Sequence, residues 1–256
     1  MAHLTGQTLT GQTVLLTGAT GTIGAAIARE LAREGGRVLL HYGRNRKAAE
    51  ALAEEIGNGA LCFAADLSDP AAPSQLWAEA ETAAGRIHAL INNAGILSPS
   101  SVDDPLEQWQ DTWARDVQVN LLAAADLCRA AIPHFRAHGG GRIVNMASRA
   151  AQGGYRPEAM SYGATKAALI NLTQSIAGGF GSDNITATAL APGWVRTKMS
   201  EAYIAEHGEA AALSGIPIGR MAEPSEIAEL TAFVLRPSQS SLSGAVLDVN
   251  GASQMR

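Results

Sequence analysis

The sequence predicts an α/β fold: a single doubly wound Rossmann-type domain on a mostly seven-stranded parallel sheet. Two observations carry this. Short β-branched apolar runs alternate along the chain with longer Ala- and Leu-rich stretches of helical period, the pattern of βαβ units whose strands are covered by helices on both faces. The first apolar run leads into a glycine-rich turn with a helix directly behind it, Thr17-Gly18-Ala19-Thr20-Gly21-Thr22-Ile23-Gly24. A length of 256 residues suits one such domain, and no Pro/Ser-rich linker or shift of composition divides it.

Taken in order, the chain opens on a short duplication, Leu4–Thr8 repeated as Leu9–Thr13, which reads as a frayed lead-in. Strands are expected at Thr13–Leu16, Arg37–His41, Ala60–Ala64, His88–Asn92, Arg142–Asn145, Ile185–Leu190 and Ala245–Val249. Helical segments lie between them, among them Ile23–Glu34, Lys47–Ile56, Leu106–Phe135 and Ser161–Ala177. The rhythm breaks once, over roughly residues 196 to 221. That stretch is expected to form an inserted helical loop that covers a ligand.

Composition removes several classes of function. A net charge of -5 and no basic run argue against a broad nucleic-acid or anionic-membrane surface. Cys62 and Cys128 sit in apolar surroundings and outside any CxxC or Cys/His cluster, so buried reduced thiols are expected and no metal site is. The N-terminus lacks a signal pattern and no apolar run is long enough to span a bilayer. The cytoplasm is the expected location.

The glycine turn is a candidate phosphate cradle. Glycines let the backbone approach a pyrophosphate, and the first N–H groups of the following helix supply donors and a positive dipole end. Gly18, Thr20, Gly21, Thr22, Ile23 and Gly24 are the candidate contacts; a plain tight turn is the alternative. A site for NAD usually carries a carboxylate at the end of the second strand for the ribose hydroxyls. Here that segment reads His41-Tyr42-Gly43-Arg44-Asn45-Arg46. Arginine accepts the extra phosphate of NADP, which a carboxylate would repel. NADP(H) is therefore the expected cofactor, with NAD(H) second. Arg44 with the adjacent Asn45 is the first candidate for the contact and Arg46 the next; a plain surface role is the alternative for either arginine.

Tyr162 and Lys166 open a long Ala/Leu-rich helix, four residues apart and so on one face. A phenol is a poor base near neutrality, and a neighbouring ammonium is expected to lower its pKa toward useful proton exchange with an alcohol or carbonyl. Ser148 ends the fifth expected strand, at the carbonyl edge where open α/β sheets bind ligands. It is a candidate donor to a substrate oxygen, or else a helix cap.

These segments, with Asn92-Asn93-Ala94-Gly95, Val119-Asn120-Leu121 and Pro192-Gly193, occur in the order and approximate spacing of the short-chain dehydrogenases/reductases. The resemblance runs from about Leu9 to Gly251 and is nearest to the short single-domain branch that includes 3-oxoacyl-[acyl-carrier-protein] reductases. It implies one NAD(P)-binding domain over residues 1–256. It implies a catalytic set of Asn120, Ser148, Tyr162 and Lys166, with Tyr162 the proton donor, Lys166 lowering its pKa and holding the nicotinamide ribose, and Asn120 holding a relay water. It further implies that Asp66 and Leu67 meet the adenine, that Asn93, Ala94 and Gly95 lie along the cofactor, and that Pro192, Gly193, Val195 and Thr197 shape the nicotinamide pocket. A homotetramer joined through the long helices and the C-terminal strand is implied as well.

Two departures stand out. The spacing TGxxGxxG places Thr22 where short members carry a glycine, and it resembles the sugar-nucleotide-modifying branch; that branch usually adds a C-terminal substrate domain, and here Val249 ends the last expected strand close to the end of the chain. Ser148 and Tyr162 are one residue further apart than is common, which points to an insertion in the Arg149–Ala159 loop. The expected activity is interconversion of a small ketone and a secondary alcohol. Reduction of a 3-oxoacyl carrier thioester is the alternative, and a non-catalytic NADP-binding sensor or scaffold the alternative of another class. Gly178–Asn184 has no Lys or Arg to meet an acidic carrier protein. Trp194, Met199, Tyr203 and Met221 are candidates for an apolar substrate pocket or for plain core packing.

Overall fold

In the computed structural model, residues 8–255 are described, apart from the side chains of Met199 and Ala202; residues 1–7 of the expected lead-in lie outside. The strands are β1 (Thr13–Leu16), β2 (Arg37–Tyr42), β3 (Leu61–Ala64), β4 (Ala89–Asn92), β5 (Gly141–Met146), β6 (Ile185–Pro192) and β7 (Val246–Val249). All pair in parallel, in the order β3-β2-β1-β4-β5-β6-β7. The helices are α1 (Thr22–Arg33), α2 (Arg46–Ile56), α3 (Ala72–Ala84), α4 (Leu106–Val117), α5 (Ala123–Ala137), α6 (Met160–Phe180), α7 (Lys198–His207), α8 (Glu209–Leu213) and α9 (Pro224–Val234).

The two-residue period of the strands sorts the core onto two faces. Val14 and Leu16 of β1, with Val38 and Leu40 of β2, join a cluster with Ile27 and Leu31 of α1 and Ile227 of α9. Leu15, Leu39 and Leu90 point the other way, toward Leu76 of α3 and Leu127 and Phe135 of α5. Each fully buried Leu or Ile of this kind contributes about 1.5–3 kcal/mol, and both faces are covered, as the near-continuous apolar strands require.

The chain reverses direction across the sheet between β1 and β4, and a cleft opens there at the carbonyl ends of the strands. Buried polar side chains brace the far wall of this cleft. Asn92 Nδ2 donates to Asn145 Oδ1 at 2.8 Å, and Asn145 Nδ2 donates to Thr173 Oγ1 at 2.9 Å, tying β4, β5 and α6 together. The expected helix 106–135 is not one uniform rod. A π-helical turn at Gln118–Leu122 separates α4 from α5 and carries Asn120 inward. The stretch expected to be inserted holds α7 and α8, closed on a small core of Ala212, Ile216 and Met221 against Trp194 and Tyr203.

Candidate active site

The glycine turn is built by steric demand. Gly18 has a φ of +66°, and a Cβ there would lie 2.9 Å from the Ala94 Cα. A Cβ on Gly24 would lie 2.2 Å from the Gly18 carbonyl oxygen, so α1 can approach the turn only without a side chain. Thr22, the departure from the common glycine spacing, begins α1 at an exposed position. It faces the cleft, where a side chain has room.

Thr17 locks the second loop onto the first. Its Oγ1 accepts from the backbone N–H groups of Asn93 and Ala94, each at 3.0 Å, and Asn93 Nδ2 donates back to the Thr17 carbonyl at 2.9 Å. On the other side His41, buried at the end of β2, accepts the Gly18 N–H on Nδ1 at 3.1 Å and lies 3.0 Å from the Ala65 carbonyl through Nε2. A ring that accepts on Nδ1 and donates from Nε2 is neutral, and burial holds its pKa below the usual histidine value. Sequence reasoning missed this brace, because its partners are backbone groups of distant residues.

A cavity of about 690 Å³ runs along the carbonyl ends of the strands. Of the residues expected at a cofactor, Gly18, Thr20, Gly21, Thr22, Ile23, Gly24, Arg44, Asp66, Leu67, Asn93, Ala94, Gly95, Pro192, Gly193, Val195 and Thr197 reach its wall, with Ser148, Tyr162 and Lys166 at the same cavity. Asn45 does not; its Oδ1 caps α2 by accepting from the Ala48 N–H at 3.1 Å. Arg46 also turns away, paired with Glu50 at 2.7 Å along the exposed face of α2. Arg44 and Arg115 lie near Asp66, whose carboxyl is held below the usual range first by bonds from Ser68 and then by these two cations.

At the other end of the cavity the Tyr162 hydroxyl faces Ser148, close enough for Ser148 to pull its pKa down. Lys166 Nζ donates to the Met146 carbonyl at 2.7 Å and lies 5.6 Å from the centre of the Tyr162 ring. Part of Tyr162 stays open to the cavity, yet burial pushes its phenol up to about 12, with Ser148 pulling the other way. Burial brings Lys166 down to about 8. Burial thus sets the phenol, and the expected lowering by Lys166 is not among the causes of its shift, the ammonium being bonded to the Met146 carbonyl. A tyrosine in this condition is a proton donor at neutral pH.

Asn120 lies behind the wall. It is 1% exposed; its Oδ1 accepts the Ile96 N–H at 2.8 Å and its Nδ2 donates to the Ile96 carbonyl at 2.9 Å. A Cβ on Gly95 would come within 3.2 Å of Lys166 Nζ and 3.3 Å of Asn120 Oδ1, so the loop after β4 passes directly over both. Trp194 lines the cavity and stacks on Tyr203 at 4.9 Å, whereas Met221 packs inside the α7–α8 core. Cys128 is buried, and among the described residues there is no cluster able to hold a metal ion.

An elongated cleft fits a dinucleotide. N–H groups at the start of α1 without a side-chain cap, a glycine-bare floor and, at one end, an arginine with no ion pair among the described residues match pyrophosphate and phosphate, and the Ser148 and Tyr162 hydroxyls wait at the other. Fold and site together define a dinucleotide-dependent oxidoreductase. A family model described as Enoyl-(Acyl carrier protein) reductase matches residues 18–252. Oxidoreductase UcpA of Escherichia coli (strain K12) is 34% identical over 257 residues, with 96% of each chain covered. A solved structure from Beutenbergia cavernae, provisionally named an NAD(P) dependent gluconate 5-dehydrogenase and holding NADP, has a TM-score of 0.88 at 33% identity, covering 96% of this chain and 98% of that one. The 3-ketoacyl-(acyl-carrier-protein) reductase of Brucella melitensis, complexed with NADH, has a TM-score of 0.86 at 31% identity, covering 96% and 99%. The chain belongs to the short-chain dehydrogenase/reductase family and is an NAD(P)-dependent oxidoreductase.

Proposed function

We propose that this enzyme prefers NADP(H) and interconverts a small ketone and its secondary alcohol, with Tyr162 as the acid/base. The observation that carries the reading is that the cavity at the carbonyl edge of β5 brings together Ser148, Tyr162 and, one helical turn on, Lys166. When bound, the nicotinamide supplies the hydride in reduction and accepts it in oxidation. The two hydroxyls donate to the carbonyl oxygen, and Tyr162 gives up its proton as charge grows there. Lys166, held on Met146, brings a positive charge to this end of the cavity and would hold the ribose. Asn120 orders the loop that passes over Lys166 and holds the relay water.

Arg44 supports the NADP preference: it reaches the cavity, has no ion pair among the described residues, and is followed by no carboxylate at the end of β2. The α7–α8 segment, within residues 196–221, covers the substrate. The enzyme acts in the cytoplasm as a homotetramer. A carrier-bound 3-oxoacyl thioester is a second reading, favoured by the naming of the Brucella structure as a 3-ketoacyl-(acyl-carrier-protein) reductase.

The test is NADPH and NADH oxidation side by side against ketones, diketones and acetoacetyl thioesters. NADPH is expected to give the higher kcat/KM, and Tyr162→Phe to lower kcat by about 10²- to 10⁴-fold while leaving NADPH binding intact. A higher kcat/KM with NADH overturns the cofactor preference, and substantial activity in the Phe variant overturns the role of Tyr162.

A further inference from the structure

The substrate end of the cavity carries charge that the proposed reaction does not use. The cavity wall holds five cationic side chains, Arg44, Arg115, Arg149, Lys166 and Lys198, against one carboxylate, Asp66. Asp66 belongs with Arg44 and Arg115, which sit close enough to it to depress its pKa. Lys166 is fixed on Met146. Arg149 and Lys198 remain.

Arg149 directly follows Ser148 and opens the short helical turn Arg149–Ala151, which packs against α6 beside Tyr162. The loop it begins returns to the catalytic tyrosine, since the Tyr155 ring lies 6.0 Å from the Tyr162 ring and a Cβ on Gly163 would be 3.2 Å from the Ala150 carbonyl. Arg149 is half-buried. Its guanidinium has no ion pair or hydrogen bond among the described residues. Seven residues on, Arg156 shows the contrasting case, paired with Glu158 at 3.4 Å and covered by Tyr155 and Tyr203. Lys198 projects from the first turn of α7, next to Thr197, with no ion-pair partner among the described residues.

An unpaired guanidinium on the cavity wall has its donors free, and a planar oxyanion in bidentate contact is the ligand whose geometry best matches them. We propose that the substrate is itself an anion: a carbonyl or hydroxy compound bearing a carboxylate or phosphate, held by Arg149 and attracted by Lys198. This rests on the ketone–alcohol reading above and names its substrate class. Arg149 then determines specificity, while Ser148 and Tyr162 remain the groups that touch the reacting oxygen.

The test uses the protein saturated with NADP⁺, with which a carbonyl compound cannot react. Binding is measured by calorimetry for short 2-oxo and 3-oxo carboxylates, each beside its primary amide, and for dihydroxyacetone phosphate beside dihydroxyacetone. The charged member of at least one pair is expected to bind about tenfold or more tighter, a preference that Arg149→Gln removes and Arg149→Lys partly restores. NADP⁺ affinity stays unchanged in both variants, which shows that they fold. Which pair responds separates carboxylate from phosphate. Equal binding of charged and neutral partners, a preference that survives in Arg149→Gln, or no binding of any charged member overturns the proposal. NADPH oxidation by neutral ketones that is indifferent to Arg149 would sink this proposal and keep the ketone reading. Arg149-dependent anion binding without NADPH oxidation by any member would do the reverse.

Discussion

At the scale of single residues the site depends on what is missing as much as on what is present. Replacing a helical glycine by alanine ordinarily stabilises a helix by about 0.5–1 kcal/mol. At Gly24 the added methyl would meet a backbone oxygen at 2.2 Å, which cannot rotate away. Overpacking of this kind costs about 1–3 kcal/mol, so the steric cost wins. Gly24→Ala is expected to lower stability in urea unfolding and to abolish NADPH fluorescence enhancement. The titrating residues make a second prediction. Lys166 loses its proton near pH 8, whereas Tyr162 keeps its own to about 12. The ammonium is present below that value and lost as pH rises through it, so kcat/KM for carbonyl reduction should be flat in the neutral range and fall with a midpoint near 8. A pH profile that stays flat to the alkaline limit would show that the charge on Lys166 is not needed.

At the scale of elements, the strands were legible because a parallel sheet buries both faces and writes itself as apolar runs. Their ends were less so. The fifth strand was expected to begin at Arg142 and the sixth to end at Leu190, yet β5 begins at Gly141, where a Cβ would lie 2.2 Å from the Phe135 ring and only glycine fits, and β6 runs on to Pro192. The π-helical turn was invisible: nothing in Gln118-Val119-Asn120-Leu121-Leu122 interrupts a helical period. Its reason is tertiary, since the bulge places Asn120 against both the N–H and the carbonyl of Ile96 and against Thr165 Oγ1 at 3.2 Å. Motif residues carry this kind of information only through resemblance; the His41 brace and the free Arg149 lie outside any motif and needed coordinates. Asn120→Ala leaves the part-buried N–H and carbonyl of Ile96 without their side-chain partners. At about 1–3 kcal/mol for such a group, a clear loss of stability is expected in denaturant unfolding, accompanied by a loss of activity as Gly95 shifts over Lys166.

For the whole molecule, the two sheet faces account for most large apolar side chains, but α4 leaves apolar side chains at its surface. Leu106 is 68% exposed and Val102 76%, and Trp109 and Trp113 stack at 5.1 Å on the same helix. Leu106, Trp109 and Trp113 follow a helical spacing of three and four, so they form a continuous stripe along α4 rather than scattered contacts. Isolated exposed apolar residues are ordinary, but an exposed leucine continued by two half-buried tryptophans has the composition of an interface core. A stripe on a straight helix is self-complementary under a two-fold axis, which lets α4 of one subunit lie antiparallel on α4 of another. A second such axis through other surfaces gives the tetramer proposed above. A carboxylate at the centre of that contact would be buried without a partner. Leu106→Glu is therefore expected to shift the molar mass measured by light scattering from about four chains to two or one, while the circular dichroism of the fold is kept. A mass that is unchanged in the variant would place the subunit contacts elsewhere on the surface.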